Sequence, residues 1–141
     1  MLPKDYPHQC RTLVITCIDF RFRSSIRKWL LEKENLDGDF DLISVAGACK
    51  DLAGDESGPP GRYILNQVLL SKKLHHVKEV ILINHQNCGA YGDRVVSGSA
   101  EELAIHRADL EKAKSLICQA SPDLTVRACF VKLDGVVSEI K

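Results

Sequence analysis

The sequence predicts an α/β fold in which a parallel sheet of about four strands is flanked by helices on both faces. Apolar, β-branched runs of strand length recur along the chain, and segments with apolar residues at helical spacing separate them. Such alternation needs right-handed crossovers, which cover both faces of a parallel sheet. The predicted strands are residues 12–17, 39–46, 79–84 and 125–133.

Three helices are predicted between these strands. The first follows a possible N-cap at residues 24–25 (Ser-Ser), and the second begins near residues 59–61 (Pro-Pro-Gly). The third opens at Ser99 with Glu102 three residues later, which fits a capping box whose glutamate reaches back to the cap residue. Because ligands of open parallel sheets lie at the carboxyl ends of the strands, a functional site is expected there.

Composition limits the class of protein. With 141 residues, 45% of them hydrophobic and 27% charged, we expect one globular domain over residues 1–141. Nineteen basic residues balance nineteen acidic ones without a basic block, so neither nucleic acid nor a membrane surface is an expected partner. No signal peptide or membrane span is evident, and the six dispersed cysteines favour metal binding or burial over a disulfide scaffold, so a cytoplasmic location is predicted.

Two short motifs follow predicted strands and carry metal-binding chemistry. Cys17 comes at the end of the first strand, and His85 and Cys88 follow the third. Thiolate and imidazole ligands suit Zn²⁺, and three protein ligands leave a position for a water molecule. Asp19 and Arg21 add a carboxylate and a guanidinium beside this set, which therefore predicts a catalytic zinc site.

These residues resemble the β-class carbonic anhydrases. That family has a Cys-x-Asp-x-Arg motif after one strand and a His-x-x-Cys-Gly motif after another, and both are present at residues 17–21 and 85–89. The likeness extends more loosely to residues 45–47 (Val-Ala-Gly) and 133–135 (Leu-Asp-Gly). The two zinc motifs are its specific part.

The resemblance implies reversible hydration of CO₂ to bicarbonate by zinc-bound hydroxide, with one zinc ion per chain held by Cys17, His85 and Cys88. It also implies that Asp19 accepts a hydrogen bond from the hydroxide and that Arg21 holds Asp19. In some family members the aspartate moves onto the metal and displaces water. The family is oligomeric, so a homodimer or higher homo-oligomer is expected.

The substrate pocket is expected to include Phe20, Gly47, Gly89 and His106. Phe20 stands where the family commonly has a small residue, and the chain is short for the family. Two alternatives on the same site therefore remain open. One is a hydrolase of carbonyl sulfide or carbon disulfide, and the other is a zinc-binding relative without catalytic activity.

A more remote alternative is a thiol phosphatase. Cys88 and Arg94 form a Cys-x₅-Arg segment between a strand and a helix, as in enzymes that hold an oxyanion beside a reactive thiolate. This hypothesis leaves the motif at residues 17–21 unexplained.

Other cysteines and histidines have simpler interpretations. Cys49 is predicted to be buried rather than to act as a fourth ligand, which would close the zinc site. His106 lies in the apolar stripe of the third helix, where it is either a hydrogen-bonded core histidine or a pocket residue. The remaining cysteines are expected in the core or at the surface, and the histidines at residues 75–76 in solvent.

Overall fold

In the computed structural model, which describes residues 6–55 and 58–141, the sheet has five strands in the order β2-β1-β3-β4-β5. The first four strands run parallel, and β5 pairs with β4 in the antiparallel sense. The strands are β1 (Thr12–Thr16), β2 (Phe40–Ser44), β3 (Glu79–His85), β4 (Thr125–Val131) and β5 (Val137–Ile140).

Helices cover both faces of this sheet. They are α1 (Arg23–Glu32), α2 (Lys50–Ala53), α3 (Pro59–His75) and α4 (Ala100–Ala120). Leu13 and Ile15 of β1 pack with residues of α2, α3 and α4, whereas Val14 packs with Ile26 and Leu30 of α1. Because successive side chains of a strand point to opposite faces, a continuous apolar strand supplies both cores. The predicted α/β fold is confirmed.

The fifth strand was not predicted. A turn at Gly135, where φ is +85°, returns the chain so that Val137 pairs with Val131. Asp134 and Gly135 form the Asp-Gly pair that often marks a hairpin, and the four residues of β5 are too short to stand out by hydrophobicity.

The predicted start of α1 was wrong by about two residues. A 3₁₀ turn over Phe20–Phe22 runs directly into the helix at Arg23, so Ser24 and Ser25 lie in its first turn. Asp19 caps that 3₁₀ turn by accepting a hydrogen bond from the backbone N–H of Arg21 at 3.0 Å. Because the 3₁₀ turn continues directly into α1, Ser24 and Ser25 lie inside the helix and neither is its N-cap.

The predicted start of α3 is confirmed, with proline in its first turn. For α4, the N-cap is confirmed, but the capping box is not. The Ser99 hydroxyl accepts from the backbone N–H of Glu102, as predicted. The Glu102 carboxylate instead accepts from the backbone N–H groups of Asn87 and Gly98. None of the helices in the described ranges combines the length and apolar character needed to span a membrane.

Candidate metal centre

Three ligand atoms meet at the carboxyl end of the sheet. Cys17 follows β1 directly, and His85 is the last residue of β3. Strands β1 and β3 are neighbours in the sheet, with Thr16 paired to Ile83. Cys88 returns to the same place after a two-residue turn, and one ligand atom from each of the three residues lies within 4.8 Å of the other two.

The imidazole of His85 has one ring nitrogen available to bind a cation. Its Nδ1 lies 2.7 Å from the backbone oxygen of Gln86, so Nδ1 carries the proton and donates it. Nε2 then presents a lone pair, and it is buried without a hydrogen-bond partner among the described residues. A buried polar atom without a partner is costly, and a metal ion would satisfy it.

The two sulfur atoms are spaced as zinc ligands are. The Sγ atoms of Cys17 and Cys88 lie 3.9 Å apart, close to the roughly 3.8 Å expected for two thiolates on a tetrahedral zinc ion. Hydrogen bonding between them lowers the pKa of Cys17 and raises that of Cys88, as one sulfur donates to the other. Without a cation the pair therefore retains a proton, which a metal ion would displace.

Gly47 lies behind this site. Its backbone N–H donates to Cys17 Sγ at 3.3 Å, which stabilises the thiolate. The residue has a φ of +83°, and a Cβ atom there would come within 2.9 Å of Lys50 Cβ. Only glycine fits this position without strain, so Gly47 supports a ligand from the loop after β2.

Asp19 and Arg21 form a two-pronged ion pair beside the ligands. Arg21 Nη2 lies 2.7 Å from Asp19 Oδ2, and Arg21 Nε lies 3.0 Å from Oδ1. The Arg21 guanidinium lowers the pKa of Asp19 to about 2, so the carboxylate is ionised at neutral pH. Asp19 Oδ2 is also 3.7 Å from Nε2 of His85, which places the carboxylate at the edge of the ligand cluster.

Asn87 and Glu102 were not identified from the sequence. Arg21 donates to both the side-chain oxygen and the backbone oxygen of Asn87, at 2.9 and 3.0 Å. Asn87 has a φ of +59°, and its N–H is held by the buried Glu102 carboxylate at 2.7 Å. In the sequence, the asparagine between the histidine and the cysteine is the only sign of this turn, since asparagine tolerates a positive φ. Glu102 was missed because the capping-box pattern had assigned it a different role.

An open cavity of about 650 Å³ lies over the cluster. Its lining includes two of the predicted pocket residues, Phe20 and Gly89, together with Asp19 and Cys88. Phe20 is 81% exposed, so its ring stands in solvent at the rim. The lining does not include Gly47 or His106.

His106 lies beneath the cavity in the core. It is fully buried, and its Nδ1 lies 2.9 Å from Nδ2 of Asn84, the residue before His85. The amide donates, so Nδ1 is an acceptor and Nε2 carries the proton. Burial lowers the pKa of His106 to about 4, and the ring is therefore neutral at neutral pH.

Cys49 and Arg94 lie outside the ligand cluster. Cys49 is fully buried, and burial raises the pKa of its thiol to about 12. Arg94 pairs with Asp109 at 3.2 Å and lies over the ring of Tyr91. A thiol phosphatase needs a low-pKa thiolate that faces its arginine. Cys88 lines the cavity but Arg94 does not, and the ion pair of Arg94 is with Asp109.

Comparison with known proteins gives a family. Residues 7–141 match the family model described as "Putative carbonic anhydrase". An uncharacterized protein of Rickettsia conorii is 33% identical over 137 residues, which cover 94% of this chain and 73% of that protein. An uncharacterized protein of Rickettsia bellii is 31% identical over 137 residues, covering 94% and 83% of the two chains.

Solved structures give the same fold. A tetrameric β-carbonic anhydrase of Sordaria macrospora superposes with a TM-score of 0.54 at 16% identity, covering 96% of this chain and 82% of that one. The β-carbonic anhydrase CafA of Aspergillus fumigatus gives a TM-score of 0.51 at 15% identity, covering 96% and 76%. With the family match over nearly its whole length and this fold, the chain belongs to the carbonic anhydrase family.

Proposed function

We propose that the protein is a zinc enzyme that hydrates CO₂ reversibly to bicarbonate. The observation that carries the proposal is the free, buried Nε2 of His85 facing two cysteine sulfurs, with an ionised carboxylate 3.7 Å away. Cys17, His85 and Cys88 would hold the ion, one per chain at this site. Zinc bound there would supply a Lewis acid that lowers the pKa of water to about 7.

Asp19 would orient the attacking water. Because Arg21 keeps its carboxylate ionised, Asp19 only accepts hydrogen bonds at neutral pH, and this fixes which lone pair of the water faces the substrate. Arg21 is itself anchored on Asn87, so the carboxylate is held in direction by a chain of charge-assisted hydrogen bonds. Holding the water in this orientation would lower the activation free energy of its attack on the substrate.

The cavity suits a small apolar substrate. Ile18, Phe20, Ala46 and Val95 line it around the polar cluster. A linear molecule without charge, such as CO₂, would enter such a lining at little cost in desolvation. The same lining favours a second candidate function, hydrolysis of carbonyl sulfide or carbon disulfide, since these molecules have the same shape and are more apolar.

We further propose a homodimer or higher homo-oligomer, formed by the whole chain as one domain. Ile18, Phe20 and Leu42 are apolar side chains exposed by 57%, 81% and 57%, and Phe20 is at the rim of the cavity. A second subunit covering them would bury the apolar surface and narrow the cavity. Support also comes from the tetrameric fungal relative of this fold. Six unpaired cysteines, all within the described residues, favour a cytoplasmic location.

Metal content and stopped-flow hydration of CO₂ test the function together. The wild-type protein should contain zinc and hydrate CO₂, and Cys88→Ser should lose zinc from this site with at least a thousandfold loss of kcat/KM. Cys118→Ser is the matched control, because it removes a half-buried cysteine of α4 that does not belong to the cluster.

Three outcomes separate the alternatives. Full zinc occupancy without hydration at any pH would indicate the catalytically silent relative. Faster turnover of carbonyl sulfide than of CO₂ would indicate the sulfur hydrolase, and hydrolysis of a phosphate ester by metal-free protein would revive the thiol phosphatase.

A further inference from the structure

A second cluster of metal-binding side chains lies at the opposite end of the sheet. Cys10 precedes β1, Asp41 is the second residue of β2, and His75 is the last residue of α3. One ligand atom from each of the three lies within 4.8 Å of the others. Because β1 and β2 begin here, this amino-end cluster is separated from the first site by the length of the strands.

Two hydrogen bonds at the amino-end cluster, from Ser71 to Asp41 and between His75 and His8, would become outer contacts of a metal site, whereas the ion would replace the one between His75 and Asp41. His75 Nδ1 lies 2.6 Å from Asp41 Oδ2, and the buried Ser71 hydroxyl donates to the same oxygen at 2.7 Å. His75 Nε2 lies 3.3 Å from Nε2 of His8. With a cation on Nδ1, Nε2 carries the ring proton and donates to His8, while Ser71 continues to orient Asp41. Ligating histidines and carboxylates are usually supported in this way.

The charge balance also favours a cation. Asp41 supplies a negative charge that would attract a divalent ion placed between its carboxylate and the Cys10 sulfur. A thiolate sulfur, an imidazole nitrogen and a carboxylate oxygen are each ligands that zinc accepts.

We propose that Cys10, Asp41 and His75 form a second zinc site, which joins three separate parts of the chain. On binding, the Cys10 thiol releases its proton to solvent, and the proton that His75 Nδ1 donates to Asp41 leaves that nitrogen, so that the neutral ring binds through Nδ1 with its proton on Nε2. The segment before β1 is already joined to the end of α3 by the hydrogen bond from Cys10 N to His75 O at 3.0 Å. The ion would add a link from both to β2, an edge strand of the sheet.

The test isolates this site by removing the first one. In the full chain with Cys17→Ser and Cys88→Ser, titration with Co²⁺ should give one ion per chain and a thiolate-to-cobalt charge-transfer band. Adding Cys10→Ser should abolish the band and weaken binding at least tenfold, whereas adding Cys118→Ser should leave both unchanged. Absence of the band in the double variant, or its persistence after Cys10→Ser, would overturn the proposal.

A second measurement avoids dependence on that double variant. Wild-type protein freed of loose metal should retain two zinc ions per chain, and His75→Gln should retain one with unchanged CO₂ hydration. A stoichiometry of one in both proteins would contradict the second site. Failure of the proposed enzyme would instead appear as lost hydration with the second ion still bound, so the two proposals fail separately.

Discussion

Each end of the sheet carries a cluster of potential metal ligands that includes a histidine, and the two histidines differ in their hydrogen-bond partners. At the carboxyl end, Nε2 of His85 is buried and has no partner among the described residues. At the amino end, both nitrogens of His75 are paired and the ring is half-buried. A cation would therefore relieve a penalty at the carboxyl end, whereas it would have to replace existing hydrogen bonds at the amino end. We expect tighter metal binding by Cys17, His85 and Cys88 than by the amino-end cluster.

The backbone differs between the two ends as well. The carboxyl-end ligands are attached to two adjacent central strands and to a turn that the buried Glu102 holds in place. The amino-end ligands come from a segment before the sheet, an edge strand and a helix end. A site on paired central strands is positioned more precisely than one assembled from three chain segments.

The largest expected contrast comes from removing one carboxylate charge at each end. Asp19→Asn should retain zinc and lower kcat for CO₂ hydration by about a hundredfold or more, since the amide cannot replace the ionised acceptor. Asp41→Asn makes the same change at the amino end and should leave kcat unaltered. Stopped-flow assays with metal analysis measure both, and full activity in Asp19→Asn would show that the carboxylate does not orient the water.

Part of the protein's acid sensitivity should arise from His106, beneath the carboxyl end. Because burial lowers the pKa of His106 from 6.5 to about 4, the folded state binds fewer protons than the unfolded state between these pH values. Stability is then fully present above pH 6.5 and is lost as the pH falls toward 4, by no more than about 3.5 kcal/mol.

His106→Gln keeps an acceptor for Asn84 but does not titrate, so its unfolding free energy should depend less on pH over this range. Urea unfolding of metal-free proteins, compared at a series of pH values, measures the difference. Identical pH profiles for the variant and the wild type would contradict the assignment of this acid sensitivity to His106.

A smaller effect is expected from the support of the Cys88 turn. The Glu102 carboxylate accepts from two backbone N–H groups, whereas the amide of Glu102→Gln directs its own N–H group toward one of them. Zinc affinity at the carboxyl end should fall about tenfold, as measured by competition with a chelator. Glu101→Gln, an exposed neighbour in the same helical turn, should bind as the wild type does. Equal affinities would indicate that the turn is rigid without Glu102.

The smallest expected effect lies at the amino end. Ser71→Ala removes the hydroxyl that donates to Asp41 and should reduce the unfolding free energy of metal-free protein by about 1 kcal/mol. Ser115→Ala, at an exposed position of α4, is the control and should change it by much less. Chemical denaturation measures both. A Ser71→Ala variant as stable as its control would mean that water replaces the hydroxyl.

The central strands were predictable because burial on both faces requires apolar residues in every position. Residues 12–16 and 79–83 are continuous apolar runs apart from threonine and glutamate at their ends, and few other structures produce that pattern. Strand β5 has only four residues at an edge, where packing demands little of the sequence, and it was missed. The start of α1 was misplaced because the capping residue, Asp19, serves a 3₁₀ turn that precedes the helix.

The candidate site was only partly visible in the sequence. Cys17, His85 and Cys88 stand in recognisable motifs, and their meeting requires only that two predicted strands be neighbours. The backbone N–H of Gly47 donates to the Cys17 sulfur, and the Glu102 carboxylate accepts from the backbone N–H of Asn87. Neither contact can be inferred from local spacing. The histidines at residues 75–76 were predicted to lie in solvent. This was wrong for His75, which forms a hydrogen bond with Asp41, 34 positions earlier in the sequence.

The sequence alone was enough to predict the α/β fold and the three residues that meet in the carboxyl-end cluster, because periodic burial and adjacent motif residues are local properties of the chain. The folded structure was needed to show which ring nitrogen of His85 lacks a hydrogen-bond partner among the described residues, which residues hold Asp19 and Asn87, and that Cys10 meets Asp41 and His75. These depend on distances between residues that are remote in sequence, and such distances follow from strand order and helix packing rather than from any local pattern.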